Sequence, residues 1–100
     1  MAPASKRVAI YPGTFDPLTN GHANIIRRGL HMFDRVIVAV AADTGKNSLF
    51  TLEERVSMAE QSLPRNRTIT VEPFYGLLVE YVARRNVRTI LRGLRAVSDF

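Results

Sequence analysis

Residues 36–42 read Val36-Ile37-Val38-Ala39-Val40-Ala41-Ala42, seven apolar positions with no polar residue among them. A strand with one wet face alternates polar and apolar side chains; a strand covered on both faces has no reason to, and such runs mark the middle of a parallel sheet. The run is far too short to cross a membrane as a helix. Parallel neighbours cannot be joined by a tight turn, so a chain with this strand must supply long, usually helical, crossovers between its strands.

The rest of the chain supplies them. Val8-Ala9-Ile10-Tyr11 is a first short apolar run, stopped by Pro12-Gly13. From about Gly21, Ile25, Ile26, Gly29, Leu30 and Phe33 recur at helical spacing, with Arg27, Arg28 and His31 on the opposite side. Asp43-Thr44-Gly45 ends the central run, and Thr51 with Glu54 three residues later forms a capping box that opens a second helix carrying Leu52, Val56, Ala59 and Leu63. Thr68-Ile69-Thr70-Val71 reads as a third strand. Leu77, Leu78, Tyr81 and Val82 form the inward face of a third helix, and Arg88-Thr89-Ile90-Leu91 a fourth strand. The alternation predicts an α/β fold, a Rossmann-like parallel sheet with helices on both faces and strands in the order 3-2-1-4. The winding reverses between the first and fourth strands, and ligands bind at such reversals. Residues 12–22 and 92–100 should therefore converge on one crevice.

Composition narrows the chemistry. One hundred residues, 46% hydrophobic, make one domain over residues 1–100, large enough to bury roughly two thirds of its unfolded surface. The absence of Cys excludes disulfides, thiolate metal sites and cysteine nucleophiles. Fourteen Lys and Arg against nine Asp and Glu give a net charge of +5, a bias towards anions. The basic residues are scattered over several elements and form no stripe, so no nucleic-acid partner is expected. Met1 to Arg7 lead into an apolar run shorter than that of a signal peptide, which reads as a cytoplasmic chain with no membrane partner.

Residues 13–22 join the first strand to its helix, where free backbone amides and a partial positive charge await an anion. The G-x-G-x-x-G fingerprint is absent, and Gly45-Lys46-Asn47-Ser48 departs from the G-x-x-x-x-G-K-[ST] loop, which argues against a dinucleotide dehydrogenase and a Walker-type ATPase. Thr19-Asn20-Gly21-His22 is instead the T-x-G-H form of a signature that nucleotidyltransferases carry at this place. Gly21 would let phosphate approach the backbone, and His22 would aim its imidazole at an α-phosphate.

Tyr11-Pro12-Gly13-Thr14-Phe15-Asp16-Pro17 with Thr19 to His22, then Phe50-Thr51-Leu52-Glu53-Glu54-Arg55, then Arg92-Gly93-Leu94-Arg95-Ala96-Val97-Ser98-Asp99-Phe100, resembles the bacterial phosphopantetheine adenylyltransferase family in order and spacing. The resemblance runs from about Arg7 onward. It implies transfer of adenylyl from ATP to 4'-phosphopantetheine, giving dephospho-coenzyme A and pyrophosphate, with Mg2+ and without metal-binding protein side chains. It implies a homohexamer at full length, coenzyme A or dephospho-coenzyme A as product-like ligands, and a nucleotidyltransferase domain whose C-terminal part is absent here.

Carried over by position, His22 resembles the family's transition-state stabiliser, with Lys46 and Arg95 beside it in catalysis. Thr14, Lys46, Leu77, Leu78 and Arg92 resemble phosphopantetheine-binding residues. Thr14, Phe15, His22, Gly93, Leu94 and Arg95 resemble the ATP side. Each has a plainer competitor: a polar first-turn histidine, a solvated loop lysine, surface arginines, and core leucines on the third helix. Three other functions compete: a truncated chain that binds substrate without turnover, a nicotinamide mononucleotide adenylyltransferase or glycerol-phosphate cytidylyltransferase of the same fold, and a basic nucleic-acid-binding module.

Overall fold

The computed structural model describes residues 7–44 and 47–93. Its elements are β1 (Val8–Gly13), α1 (Asn20–Gly29), β2 (Arg35–Ala41), α2 (Leu52–Ser62), β3 (Ile69–Phe74), α3 (Leu78–Arg84) and β4 (Thr89–Ile90). The strands lie side by side in the order β3-β2-β1-β4, every pair parallel. This is the predicted order, with the reversal of winding between β1 and β4.

The uninterrupted apolar run of β2 is explained by what covers it. Val36 to Val40 are all buried between β1 and β3. The period of two sends Val36, Val38 and Val40 to one face, where they pack with Ile26 of α1 and with Ala59 and Leu63 at α2. Ile37 and Ala39 point to the other face, against Phe74 and Tyr81 of α3. Helices therefore cover both faces, and apolar burial on each side of one strand is the main stabilising contribution of the core.

Several boundaries differ from the sequence reading, for local reasons. β1 runs on through Pro12 and Gly13, although the pair looked like a stop. Proline lacks a donor and is tolerated where a strand has a free edge; β4 pairs only with Ala9 and Ile10, so β1 has such an edge at Pro12. β3 likewise extends to Phe74 through Pro73, as the outermost strand can. β4 is shorter than the predicted four residues. α1 stops at Gly29, so Leu30 and Phe33 fall in the turn that follows, and the Asp34 amide donates to Arg7 O at 2.7 Å to start the β1–β2 ladder.

Candidate active site

The centre of the site is the start of α1. Thr19 is its N-cap, in an extended conformation (φ −111, ψ 174), and its hydroxyl accepts from the His22 amide at 3.3 Å. The imidazole of His22 returns the contact: Nδ1 accepts from the Thr19 amide at 2.9 Å and lies 3.1 Å from the Thr19 hydroxyl. The T-x-G-H signature is thus also a capping box, with histidine in the place usually taken by Glu or Gln.

This hydrogen bond fixes the chemistry of the ring. A backbone amide can only donate, so Nδ1 must carry a lone pair, and the proton of the neutral ring must sit on Nε2. Among the described residues Nε2 has no hydrogen-bond partner. Burial lowers the His22 pKa from its ordinary 6.5, and the cap favours the same neutral form. At neutral pH His22 is therefore a neutral Nε2–H donor at the amino end of a helix. Its ring is held by aromatic neighbours, edge-on to Phe15 at 4.9 Å between centroids and 6.2 Å from Tyr11. Phe15 is buried with a positive φ of 49, a conformation that costs energy for a non-glycine residue and recurs at ligand-binding turns. At Gly21 a Cβ would meet only the Thr19 hydroxyl, at 3.6 Å, so this side of the turn stands open.

A cavity of about 700 Å³ opens beside this turn at the reversal between β1 and β4, lined by Tyr11, Pro12, Leu78, Leu91, Arg92 and Gly93 among others. Of the two segments expected to converge, Pro12 of the first and Arg92 and Gly93 of the second line this cavity, and residues 94–100 lie outside the described residues. Arg92 is exposed, and its guanidinium has no partner among the described residues. Gly93 sits where a Cβ would come within 2.4 Å of Ile25 Cδ1 and 3.1 Å of the Tyr11 hydroxyl, so a larger residue would push these apart. Tyr11, whose burial raises its pKa, joins the cavity to the His22 cluster. Leu78 lines the cavity; its neighbour Leu77 is 62% exposed and does not. Thr14 is half-buried in the turn after β1. Lys46, Leu94 and Arg95 lie outside the described residues.

Two residues of this region were not singled out from the sequence. Asp16 accepts from the Leu49 amide at 2.5 Å and the Phe50 amide at 2.9 Å, tying the β1–α1 turn to the approach to α2. Arg55, buried in α2, donates to the carbonyls of Thr14, Ala41 and Phe50. A signal for Arg55 was present: it stands three residues after Leu52 and four before Ala59, on the inward face of the helix. Among the described residues no three His, Asp or Glu side chains gather as metal ligands, and both oxygens of Asp16 are engaged. None of the described helices is long and apolar enough to cross a membrane.

Comparison with known proteins agrees with this geometry. Proteins named phosphopantetheine adenylyltransferase are 61% identical over 100 residues in Oleidesulfovibrio alaskensis, 65% over 94 residues in Nitratidesulfovibrio vulgaris and 55% over 95 residues in Geobacter metallireducens. These matches take in 94–100% of this chain but 59%, 50% and 58% of those proteins, so the chain spans little more than half their length. Two solved structures share the fold at low identity. The lipopolysaccharide core biosynthesis protein of Thermoplasma volcanium has a TM-score of 0.67 at 19% identity, over 86% of this chain and 73% of that one. The bifunctional NMN adenylyltransferase/ADP ribose pyrophosphatase of Francisella tularensis, complexed with AMP and a Mn ion, has a TM-score of 0.60 at 22% identity, over 81% and 25%. The cytidylyltransferase-like family profile matches residues 10–100, from the middle of β1 through the histidine cap and the Arg92 cavity, and the chain belongs to that family.

Proposed function

We propose that the protein transfers the adenylyl group of ATP to 4'-phosphopantetheine, giving dephospho-coenzyme A and pyrophosphate. The observation that carries this reading is the neutral Nε2–H donor of His22, fixed at the amino end of α1 beside a cavity that Arg92 and Leu78 line. A terminal phosphate oxygen of phosphopantetheine attacks the α-phosphorus of ATP, the bond from that phosphorus to the bridging oxygen breaks, and pyrophosphate leaves in line. The nucleophile is already an anion, so no general base is required; positioning and charge stabilisation account for the catalysis.

His22 donates to the α-phosphate oxygens as charge shifts towards the leaving group, with the α1 dipole adding to the effect. Arg92 takes the phosphate of phosphopantetheine, a task that suits its planar fork. Leu78, with the exposed Leu77 beside it in sequence, takes the apolar part of the pantetheine arm, and Thr14 lies between the two substrates. Phe15, Gly93, Leu94 and Arg95 belong to the ATP side, and Lys46 and Arg95 supply charge to the transferring phosphates. The donor set suits Mg2+ carried on the phosphates of ATP and not held by side chains, since Asp16 is engaged and no other ligand cluster stands in the described site. A cytoplasmic homohexamer accompanies this reading. The names of the similar proteins support it.

The reverse reaction tests it. Dephospho-coenzyme A and pyrophosphate supplied with Mg2+ should yield ATP, measured by luciferase on protein of verified intact mass. No ATP above a protein-free control would overturn the proposal.

A further inference from the structure

Arg55 is 2% exposed, and no carboxylate pairs with it among the described residues. Its guanidinium is spent on backbone carbonyls: Nη1 donates to Thr14 O at 2.9 Å and Ala41 O at 2.8 Å, and Nε to Phe50 O at 3.2 Å. Ala41 ends β2, Thr14 follows β1, and Phe50 precedes α2. Where a parallel sheet ends, its last carbonyls lose their ladder partners, and buried orphan acceptors are costly. Ala41 O is such a sheet-end carbonyl and Thr14 O lies one residue past β1, while Phe50 O, which also accepts from Ser48 Oγ at 3.0 Å, belongs to the approach to α2. Asp16 completes the clasp from the opposite direction by accepting from the Leu49 and Phe50 amides. Phe15, whose ring packs on His22, lies between the two held residues Thr14 and Asp16.

We infer that Arg55 is a positioning residue of the proposed transfer site: without touching substrate, it fixes the Thr14–Asp16 turn to the end of β2 and the approach to α2, and so holds Phe15 against His22 at the amino end of α1. The inference rests on the adenylyl-transfer reading for its consequence and on the carbonyl contacts for its mechanism. Three carbonyls converging from separate segments call for a rigid fork with several donors; a lysine offers a single flexible ammonium and cannot reproduce the geometry.

The test compares wild type, Arg55→Lys and Leu63→Ala. Leu63 is buried just past the far end of α2, so Leu63→Ala lowers stability without disturbing the clasp. Circular dichroism sets a temperature at which all three are folded. Two measurements follow there: calorimetric titration with 4'-phosphopantetheine, and hydrogen exchange of the Leu49 and Phe50 amides. Arg55→Lys should bind at least about ten-fold more weakly and exchange both amides faster, whereas Leu63→Ala should match wild type in both. Wild-type binding retained by Arg55→Lys, or equal weakening in Leu63→Ala, would overturn the positioning role and leave the substrate assignment standing. If wild type itself fails to bind phosphopantetheine, the substrate assignment falls, and the exchange data alone decide: unchanged protection in Arg55→Lys refutes the clasp.

Discussion

Among the described residues the same helix cap occurs at two helices. At α2, Thr51 accepts from the Glu54 amide at 3.1 Å and Glu54 accepts from the Thr51 amide at 2.9 Å. At α1, Thr19 and His22 make the same reciprocal pair. The backbone does not distinguish them; the third residue does. A carboxylate at that position suits the positive end of a helix but repels a phosphate, so the start of α2 is closed to anions. A neutral imidazole satisfies the same amide with one nitrogen and offers a hydrogen from the other. The comparison teaches that α1 keeps its cap and leaves its amino end available for an anionic ligand, which a glutamate there would not allow.

Exchanging the third residues attacks this difference most directly. His22→Glu should leave α1 capped and the fold intact by circular dichroism, yet reduce ATP formation in the reverse assay beyond the roughly 1,000-fold that loss of one preorganised donor can cost. His22→Gln keeps an acceptor for the Thr19 amide but replaces the ring packed on Phe15 and Tyr11 by a flexible carboxamide, whose NH2 is not held where Nε2–H stood. It should lower kcat by roughly 100- to 1,000-fold with little change in stability. Near-normal turnover in either variant would reduce His22 to a cap. Thr19→Ala and Thr51→Ala should each cost about 1 kcal/mol in urea unfolding, and only Thr19→Ala should also impair turnover, because it loosens the His22 ring. Glu54→His, the reverse exchange, should cost only about 0.3–1 kcal/mol through the lost dipole interaction and leave turnover unaltered.

The smallest effect is on the pH dependence of stability. The pKa of His22 is lowered in the folded protein, so the unfolded chain takes up a proton first as pH falls. The stability held in its neutral form is fully present above about pH 6.5 and is lost as pH drops towards the lowered folded value. Protonation also places a hydrogen on Nδ1, against the Thr19 amide. Urea midpoints between pH 7 and pH 5 should fall more in wild type than in His22→Gln; parallel curves would contradict the assignment of Nδ1 as acceptor.

The sheet was legible because its signals are local and strong. A strand buried on both faces announces itself in Val36 to Ala42, and the alternation of elements then leaves few topologies. The box at Thr51 was legible because glutamate is the usual third member. The box at Thr19 was not, since nothing in local propensity marks histidine as a cap partner, and the same letters had already been read as a chemical signature. Pro12 misled for a related reason: whether a proline ends a strand depends on which edge its missing donor faces, and that depends on the length of β4. Arg55 and Asp16 were hidden because their partners are backbone atoms, most of them 14 to 41 residues away, which carry no sequence identity. Arg92 was visible at a strand end, yet its neighbour in the cavity, Leu78, comes from the other end of α3, and only the winding reversal joins them.

The central claim is that the cap holds His22 as a neutral ring with its proton on Nε2, facing an anion. Nitrogen-15 NMR of the His22 imidazole at pH 7 reads this directly. Nδ1 should show the shift of an unprotonated acceptor and Nε2 that of a protonated nitrogen, and addition of ATP should move the Nε2 signal while Nδ1 stays in place. A protonated Nδ1 in the free protein, or an Nε2 signal indifferent to ATP, would contradict the account.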